Sequence, residues 1–420
     1  MDERCSDEKS RIASVLRIIS SHFPHLWPAV EAGLSTCATL LLADNANPVA
    51  LIYVGPPSAG KTTVVSMFEG ATAQGQPLCY RSDKFTPAAF VSSSAKATQQ
   101  QLAAIDLLPR IQHKVLLTPE LATVFRGKDV ELVHTFSTIT RVMDGQGFMV
   151  DSGTHGRRGY EGDYLFAWLG ATTPFEPTVW KVMAQLGSRL FFLMLDAVAE
   201  PSVDELMAAL SQPVTYQESL VKCREVVHRY LDDLFTQHHG IRGVQWSKEQ
   251  NPTEVVTGIS QCASLLALMR TPYEGGKTVQ PESPHRANAV LYNLARGHAL
   301  ACGRTCLAKD DLPMIARITL SSIPAARRAV LLAFVKNEGK PFTVKQVEEA
   351  TGVSRHTAEG LMKEMDWLGV ARFETEGIGK PSHLELRPER AWIAQGKFAA
   401  LLLEGATWQE SGDEYVAATS

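Results

Sequence analysis

One eight-residue segment constrains this chain more than any other part of its sequence. Residues 55–62 read Gly-Pro-Pro-Ser-Ala-Gly-Lys-Thr and match the pattern G-x-x-x-x-G-K-[ST]. Residues 48–54, immediately before it, form a short apolar and β-branched run typical of a buried strand, and a helical pattern follows it. A strand, this loop and a helix in that order predict a phosphate-binding loop in an α/β fold.

The residue types in this segment indicate what it would bind. Glycines let backbone N–H groups turn toward a phosphate, and the start of the following helix adds the positive end of its dipole. Lys61 would neutralise the β- and γ-phosphates of ATP, and the Thr62 hydroxyl would ligate Mg²⁺. A chance match on a glycine-rich turn is the alternative, and the flanking strand and helix disfavour it. The predicted nucleotide-binding residues are Gly55, Pro56, Pro57, Ser58, Ala59, Gly60, Lys61, Thr62 and Thr63.

Composition sets limits on the rest. With 420 residues, 45% of them apolar, the chain has room for roughly two to four domains. A net charge of −4 excludes a generally basic nucleic-acid coat but allows a local basic patch. The cysteines show no CxxC pair, so we expect buried thiols in a reducing compartment. The charged start of the chain has no apolar region behind it, and no apolar stretch is long enough for a membrane span; we expect a cytoplasmic protein without a membrane partner.

The order of the elements resembles that of the AAA+ superfamily, in particular the branch of minichromosome-maintenance (MCM) helicases and magnesium chelatases. Strand and helix patterns alternate up to about Leu195, which by itself predicts a parallel sheet covered on both faces. The resemblance covers residues 45–197 and 284–320. It implies a P-loop ATPase core with a helical lid, hydrolysis of ATP with Mg²⁺, and a homo-oligomeric ring or partial ring.

Two catalytic residues follow from this resemblance near the strand ends. Glu120 matches the position of the carboxylate that polarises the attacking water, whereas Pro119 stands where the family carries an Asp on the Mg²⁺ shell. Thr173, with Thr172 as the fallback, matches the sensor-1 position that orients the water. The alternatives are a carboxylate at a helix N-terminus for Glu120 and an ordinary Thr-Thr-Pro turn for Thr173.

Two arginines resemble residues that act on the γ-phosphate. Arg189, just before the apolar strand 190–195, is similar to the arginine finger that reaches into the site of a neighbouring subunit. Arg286, at the start of a helix after Pro284, is similar to sensor 2 of the lid and would face the nucleotide. An exposed Arg at a strand start is the alternative for Arg189. We expect His285, His298 and the other histidines to be surface or packing residues.

Two places suggest a DNA partner. Residues 144–160, with glycines at both ends, predict a β-hairpin. In MCM-like ATPases a hairpin here grips DNA, which would make Arg157, Arg158 and Tyr160 contacts to phosphates and bases. A solvated loop with its arginines paired to nearby acids is the alternative.

The second place lies near the C-terminus. Residues 343–386 resemble a winged helix-turn-helix, with Arg355 and His356 at the start of the recognition helix and Lys380 in the wing. Residues 325–392 carry 11 Lys/Arg and 10 Asp/Glu, so this unit is nearly neutral and a protein-docking role stays open.

The predicted organisation and function combine these readings. The segments are an N-terminal helical segment (1–47), the ATPase core (48–197), a helical insertion or enlarged lid (198–283), the helical lid (284–323), the winged helix-turn-helix (324–395) and a loosely ordered tail (396–420). The expected function is a DNA-linked, helicase- or translocase-like ATPase motor. A slow nucleotide-dependent switch that recruits a protein, or an ATP-dependent transcription regulator, is the alternative.

Overall fold

A five-stranded parallel sheet forms the centre of the protein. The computed structural model describes residues 3–92, 98–153, 156–187, 189–196, 203–204, 207, 214–273, 282–374 and 382–408. The strands lie in the order β4-β5-β8-β1-β9, and every neighbouring pair is parallel. Their bounds are Val49–Val54 (β1), Cys79–Arg81 (β4), Val115–Thr118 (β5), Ala167–Thr172 (β8) and Leu190–Met194 (β9). The predicted α/β class with a parallel sheet is therefore confirmed.

The central strand shows why this sheet is covered on both faces. All six residues of β1 are buried. Val49, Leu51 and Tyr53 pack into one apolar core, and the alternate residues of β1 pack into a second core. Side chains alternate across a strand, so a strand with two apolar faces needs a helical layer on each side.

Helices form both layers. On the side of Tyr53 the layer contains α1 (Glu3–His22), α2 (Trp27–Ala38), α3 (Lys61–Met67), α8 (Tyr216–Gln237), α9 (Thr253–Arg270), α10 (His285–Ala301) and α11 (Leu312–Ser321). The other side contains α4 (Gln99–Ile105), α5 (Leu107–Ile111), α6 (Asp129–Val142) and α7 (Pro177–Leu186). Helices from residues 1–47 and 198–283 therefore share one core with the sheet. Among the described residues, no helix is long and apolar enough to cross a membrane.

Small strands complete the α/β part. Two short strands, β2 (Thr72–Ala73) and β3 (Gln76–Pro77), form one antiparallel pair. The strands β6 (Gly147–Ser152) and β7 (Gly156–Glu161) form a second, with Phe148 opposite Tyr160. The hairpin predicted for residues 144–160 is therefore confirmed, apart from residues 154 and 155, which lie outside the described part.

The C-terminal unit combines three helices with a three-stranded antiparallel sheet. The helices are α12 (Ala325–Lys336), α13 (Val344–Thr351) and α14 (Arg355–Trp367). The strands β10 (Phe342–Thr343), β11 (Ala371–Glu374) and β12 (His383–Leu386) lie in the order β10-β12-β11. Gly352, with a positive φ of 68°, ends α13 and turns the chain toward α14.

The expectation of a loose tail from residue 396 is wrong for its first half. Residues Gly396–Thr407 form α15, which packs against α11 and buries Phe398, Leu401 and Leu402. Arg317 of α11 donates a hydrogen bond to the Ala406 carbonyl over 2.8 Å. The apolar stripe of α15 finds a partner surface on α11, which local sequence did not indicate. Residues 409–420 lie outside the described part.

Candidate functional site

The phosphate-loop segment lies between the carboxyl end of β1 and the start of α3. Gly60 has a φ of 80°, and a Cβ at this position would lie 2.5 Å from Cδ2 of the buried Leu26. A Cβ on Gly55 would lie 2.6 Å from the Leu195 carbonyl oxygen. Both positions therefore need glycine, one for its backbone conformation and both for space.

Lys61 is held inside this loop. Its side chain is 8% exposed, and Nζ donates a hydrogen bond to the Pro56 carbonyl over 2.5 Å. Burial lowers the pKa of Lys61, while the nearby carboxylate of Glu120 acts in the opposite direction. The ammonium therefore sits in a site that would favour an anionic ligand.

The loop is attached to its surroundings by two threonines. The Thr62 hydroxyl donates to the Pro119 carbonyl over 3.4 Å, which joins the loop to the end of β5. The Thr63 hydroxyl is 2.8 Å from the hydroxyl of Tyr216 on α8. Pro57 and Ser58 are exposed, and Ala59 is buried. The outer turn of the loop is thus open to solvent while its base is fixed.

The residues that follow β5 and β8 lie near the phosphate loop, at the end of the sheet where the parallel strands end. The Gly55 N–H donates to the Thr172 carbonyl, and the Leu121 N–H donates to the Ala171 carbonyl over 2.8 Å. Glu120 is exposed, and its carboxylate accepts a hydrogen bond from the Ala122 N–H over 2.7 Å. Thr173 is half-buried. The carboxyl ends of parallel strands are where α/β sheets bind ligands, so Lys61, Thr62, Glu120 and Thr173 share one candidate site.

The two predicted arginines lie at the opposite end of the sheet, where its parallel strands begin. Arg189 directly precedes β9, whose first residue Leu190 pairs with Ala50 near the start of β1. Arg189 Nη2 is 3.4 Å from Asp144 Oδ1, and Arg286 Nη1 is 2.8 Å from the same oxygen. The length of β1 separates this pair from the phosphate loop by roughly 16 Å, at about 3.3 Å per residue.

Arg286, which the resemblance to sensor 2 predicts to face the nucleotide, lies beside Asp144 rather than beside the phosphate loop of its own chain. Helix α10 begins beside Asp144, which holds Arg286 and Arg189 together. Burial and the adjacent Arg286 lower the pKa of Arg189, whereas Asp144 and Glu282 act in the opposite direction. The Asp144 carboxylate thus pairs with both of these guanidinium groups and with that of the exposed Arg141, at the end of the sheet away from the phosphate loop of the same chain.

Sequence reasoning assigned no role to Asp144 or Glu282. The only signal was Asp144 beside Gly145, which marks the turn into the hairpin. Nothing in the local sequence predicts that arginines 45 and 142 residues away would converge there.

The hairpin residues divide into exposed and buried ones. The Arg157 side chain is 62% exposed and forms an ion pair with Glu161, and Arg158 is half-buried. Tyr160 is 7% exposed, and its hydroxyl donates to Asp106 Oδ2 over 2.7 Å. Burial and the Asp106 carboxylate raise the pKa of Tyr160. The expected contact between Tyr160 and a DNA base is therefore wrong. The ring is buried in the core that the second face of β1 shares with α6 and α7.

Replacing Tyr160 with phenylalanine is expected to lower the free energy of unfolding by about 1–3 kcal/mol, because it leaves the buried Asp106 carboxylate without one donor. Chemical denaturation with both proteins would measure the difference. A folded variant of unchanged stability would show that the hydrogen bond to Asp106 does not stabilise the fold.

The C-terminal DNA candidates lie at the start of α14. Arg355 and His356 are both exposed, and Arg355 Nε is 3.4 Å from Glu359 Oε1 on the next turn. Lys380 lies outside the described residues. The unit docks on the end of α9 through Arg327, which is buried and donates to the Met269 and Thr271 carbonyls over 2.6 and 2.8 Å.

No family model matches this chain, and the search of curated proteins found no match to it. Among solved structures that match is a full-length MCM homolog from Methanopyrus kandleri, 12% identical over 77% of this chain, with a TM-score of 0.43. The chain spans 63% of the length of that protein.

Proposed function

We propose that this protein is an AAA+-type ATPase that binds ATP with Mg²⁺ and hydrolyses it at sites shared between subunits. The observation that carries the proposal is the phosphate loop: it joins β1 to α3, holds Lys61 inside the turn and attaches Thr62 to the end of β5. Lys61 would bind the β- and γ-phosphates in place of the Pro56 carbonyl.

The surrounding donors suit Mg²⁺. The Thr62 hydroxyl and the Pro119 carbonyl offer oxygen atoms, which this cation prefers. When bound, Mg²⁺ would neutralise charge on the phosphate oxygens. Glu120 would turn from the Ala122 N–H toward the attacking water, and Thr173 would orient that water.

The arginine pair supports an assembly. Arg189 and Arg286 lie at the end of the sheet opposite the phosphate loop. They would therefore complete the nucleotide site of an adjacent copy rather than that of their own chain. In such an assembly the arginine-bearing end of one subunit contacts the phosphate-loop end of the next, which is a head-to-tail interface. Repeating this interface produces a ring or an open partial ring.

A link to DNA rests on the hairpin. Its exposed Arg157 is suited to a phosphate contact. The hairpin begins next to Asp144, which pairs with Arg189 and Arg286. DNA binding at the hairpin tip could therefore shift these two arginines through Asp144. We also propose that α12, α13, α14 and the sheet β10-β12-β11 form a winged helix-turn-helix, with Arg355 and His356 at the start of the recognition helix.

Specific observations favour the slower switch as a second candidate. Pro119 supplies a carbonyl where a second carboxylate would orient Mg²⁺. The nearly equal numbers of acidic and basic residues in 325–392 suit protein docking as well as DNA.

DNA stimulation of hydrolysis separates the motor from the switch. The motor predicts that single-stranded or duplex DNA accelerates ATP hydrolysis, and that rising salt weakens this effect steeply through counterion release. Changing Arg157 and Arg158 to Glu should abolish the stimulation and leave basal hydrolysis unchanged, because the hairpin lies away from the phosphate loop. Steady-state ATPase rates at several salt concentrations provide the measurement.

A matched control carries Glu at Lys222 and Arg229, two exposed positions on α8 that give the same change in net charge. This control should keep the stimulation. If no form of DNA changes the ATP hydrolysis rate at low salt, in the parent and in both variants, the result would support the switch and exclude the motor.

A further inference from the structure

We propose that Glu31, His298 and Cys302 form a Zn²⁺-type metal site that joins α2 to α10, separate from the nucleotide site. His298 Nε2 is 3.4 Å from Glu31 Oε1 and 3.7 Å from Cys302 Sγ. One potential ligand atom from each of the three residues lies within 4.8 Å of the other two. Carboxylate, imidazole and thiolate are all zinc ligands, and the thiolate favours zinc over Mg²⁺.

The two distances from the imidazole to the other groups fit a tetrahedral metal centre, and the ligand atoms of all three lie within 4.8 Å of one another. Zinc bonds of about 2.0–2.3 Å place a nitrogen and an oxygen ligand about 3.4 Å apart, and a nitrogen and a sulfur ligand about 3.5 Å apart. The observed distances of 3.4 and 3.7 Å differ little from these values. Small side-chain adjustments would bring the three ligand atoms around one metal ion, and water would complete the fourth position.

A second carboxylate fixes the orientation of the imidazole. His298 Nδ1 is 2.6 Å from Asp311 Oδ1, so Nε2 faces Glu31 and Cys302. Asp311 is fully buried and also accepts from Arg304 and from the Ala308 N–H. Metal-binding histidines commonly donate their other N–H to a carboxylate in this way, which selects the tautomer that binds the metal.

The supporting helices are closely packed. His298 lies in the last turn of α10, and Cys302, four residues later, caps the end of this helix. Beside them, a Cβ on Gly297 would lie 2.1 Å from the Ser35 carbonyl of α2, which shows how near the two backbones approach. The site therefore rests on rigid elements, as a preorganised metal site requires.

Such an ion would connect two parts of the proposed ATPase. Helix α2 supports β1, because the Tyr53 hydroxyl donates to the Ala29 carbonyl over 2.9 Å, and Leu26 before α2 lies under Gly60. Helix α10 carries Arg286 at its other end. The metal would hold the arginine-bearing helix against the layer that supports the phosphate loop.

The competing explanation is an ionic network without metal, in which a protonated His298 donates to Glu31 and Asp311. Co²⁺ separates the two, because cobalt bound to a thiolate has a characteristic ligand-to-metal charge-transfer band. The full-length protein would be treated with a chelator, then titrated with Co²⁺ alone and afterwards with Zn²⁺. We expect one Co²⁺ per chain, the thiolate band, and displacement by Zn²⁺.

Variants locate the site. Cys302→Ser should abolish the charge-transfer band, and the matched control Cys306→Ser, a half-buried thiol four residues further along the chain, should keep it. Asp311→Asn should weaken Co²⁺ binding by about 10–100-fold, as expected of a residue that positions a ligand. Lys61→Ala should retain the band, because the phosphate loop is not involved.

Two results would overturn the proposal: no thiolate band in the folded parent protein, or a band that persists in Cys302→Ser. Circular dichroism of each variant confirms that it is folded. In the first case the ionic network alone explains the cluster.

Discussion

Changing Lys61 to alanine is expected to weaken ATP binding by about 100-fold, the equivalent of losing one strong hydrogen bond between charged groups. The triphosphate would lose the ammonium that the loop holds at its centre. Titration with a fluorescent ATP analogue measures the affinity. The exposed Lys84 provides the control, and Lys84→Ala should bind like the parent.

The same variant makes a prediction about stability. Burial lowers the pKa of Lys61, so the charged ammonium is less favourable in the folded protein than in the unfolded chain. Without ATP the melting temperature should therefore change little, and the rise that ATP produces through binding to the folded state should be much smaller than in the parent. A folded Lys61→Ala protein with unchanged ATP affinity would remove this loop from nucleotide binding.

Arg189→Ala is expected to reduce ATP turnover by about 1,000-fold or more and to leave ATP affinity nearly unchanged. An arginine finger stabilises charge that develops in the transition state, so it affects the rate much more than ground-state binding. Single-turnover hydrolysis and analogue titration measure the two quantities separately. Arg141→Ala is the matched control: Arg141 also pairs with Asp144, over 3.2 Å, but it is exposed and has no proposed role in the site.

Mixing experiments test whether the arginine acts on a neighbour. In a mixture of Arg189→Ala and Lys61→Ala chains, the intact phosphate loop of the first can meet the intact Arg189 of the second. We expect the mixture to recover activity that neither variant has alone. An inactive mixture, together with a parent rate per chain that is independent of protein concentration, would contradict the shared site.

What the sequence determined by itself is the strand, turn and helix that contain the predicted phosphate loop. Residues 48–67 predict a strand, a glycine-dependent turn and a helix, because each depends on neighbours in the chain and on backbone conformations that few residues adopt. The parallel sheet and the hairpin follow from similar local patterns. These elements lie where they were expected.

Tertiary structure alone decided which distant groups meet. Asp144 pairs with Arg189 and Arg286 at the end of the sheet away from the phosphate loop. The Tyr160 hydroxyl donates a hydrogen bond to Asp106 within the core. Glu31 meets His298 only because α2 and α10 pack closely across 267 residues of chain. Local periodicity predicts which face of an element is apolar, but the partners of a charged or polar side chain depend on the path of the whole chain.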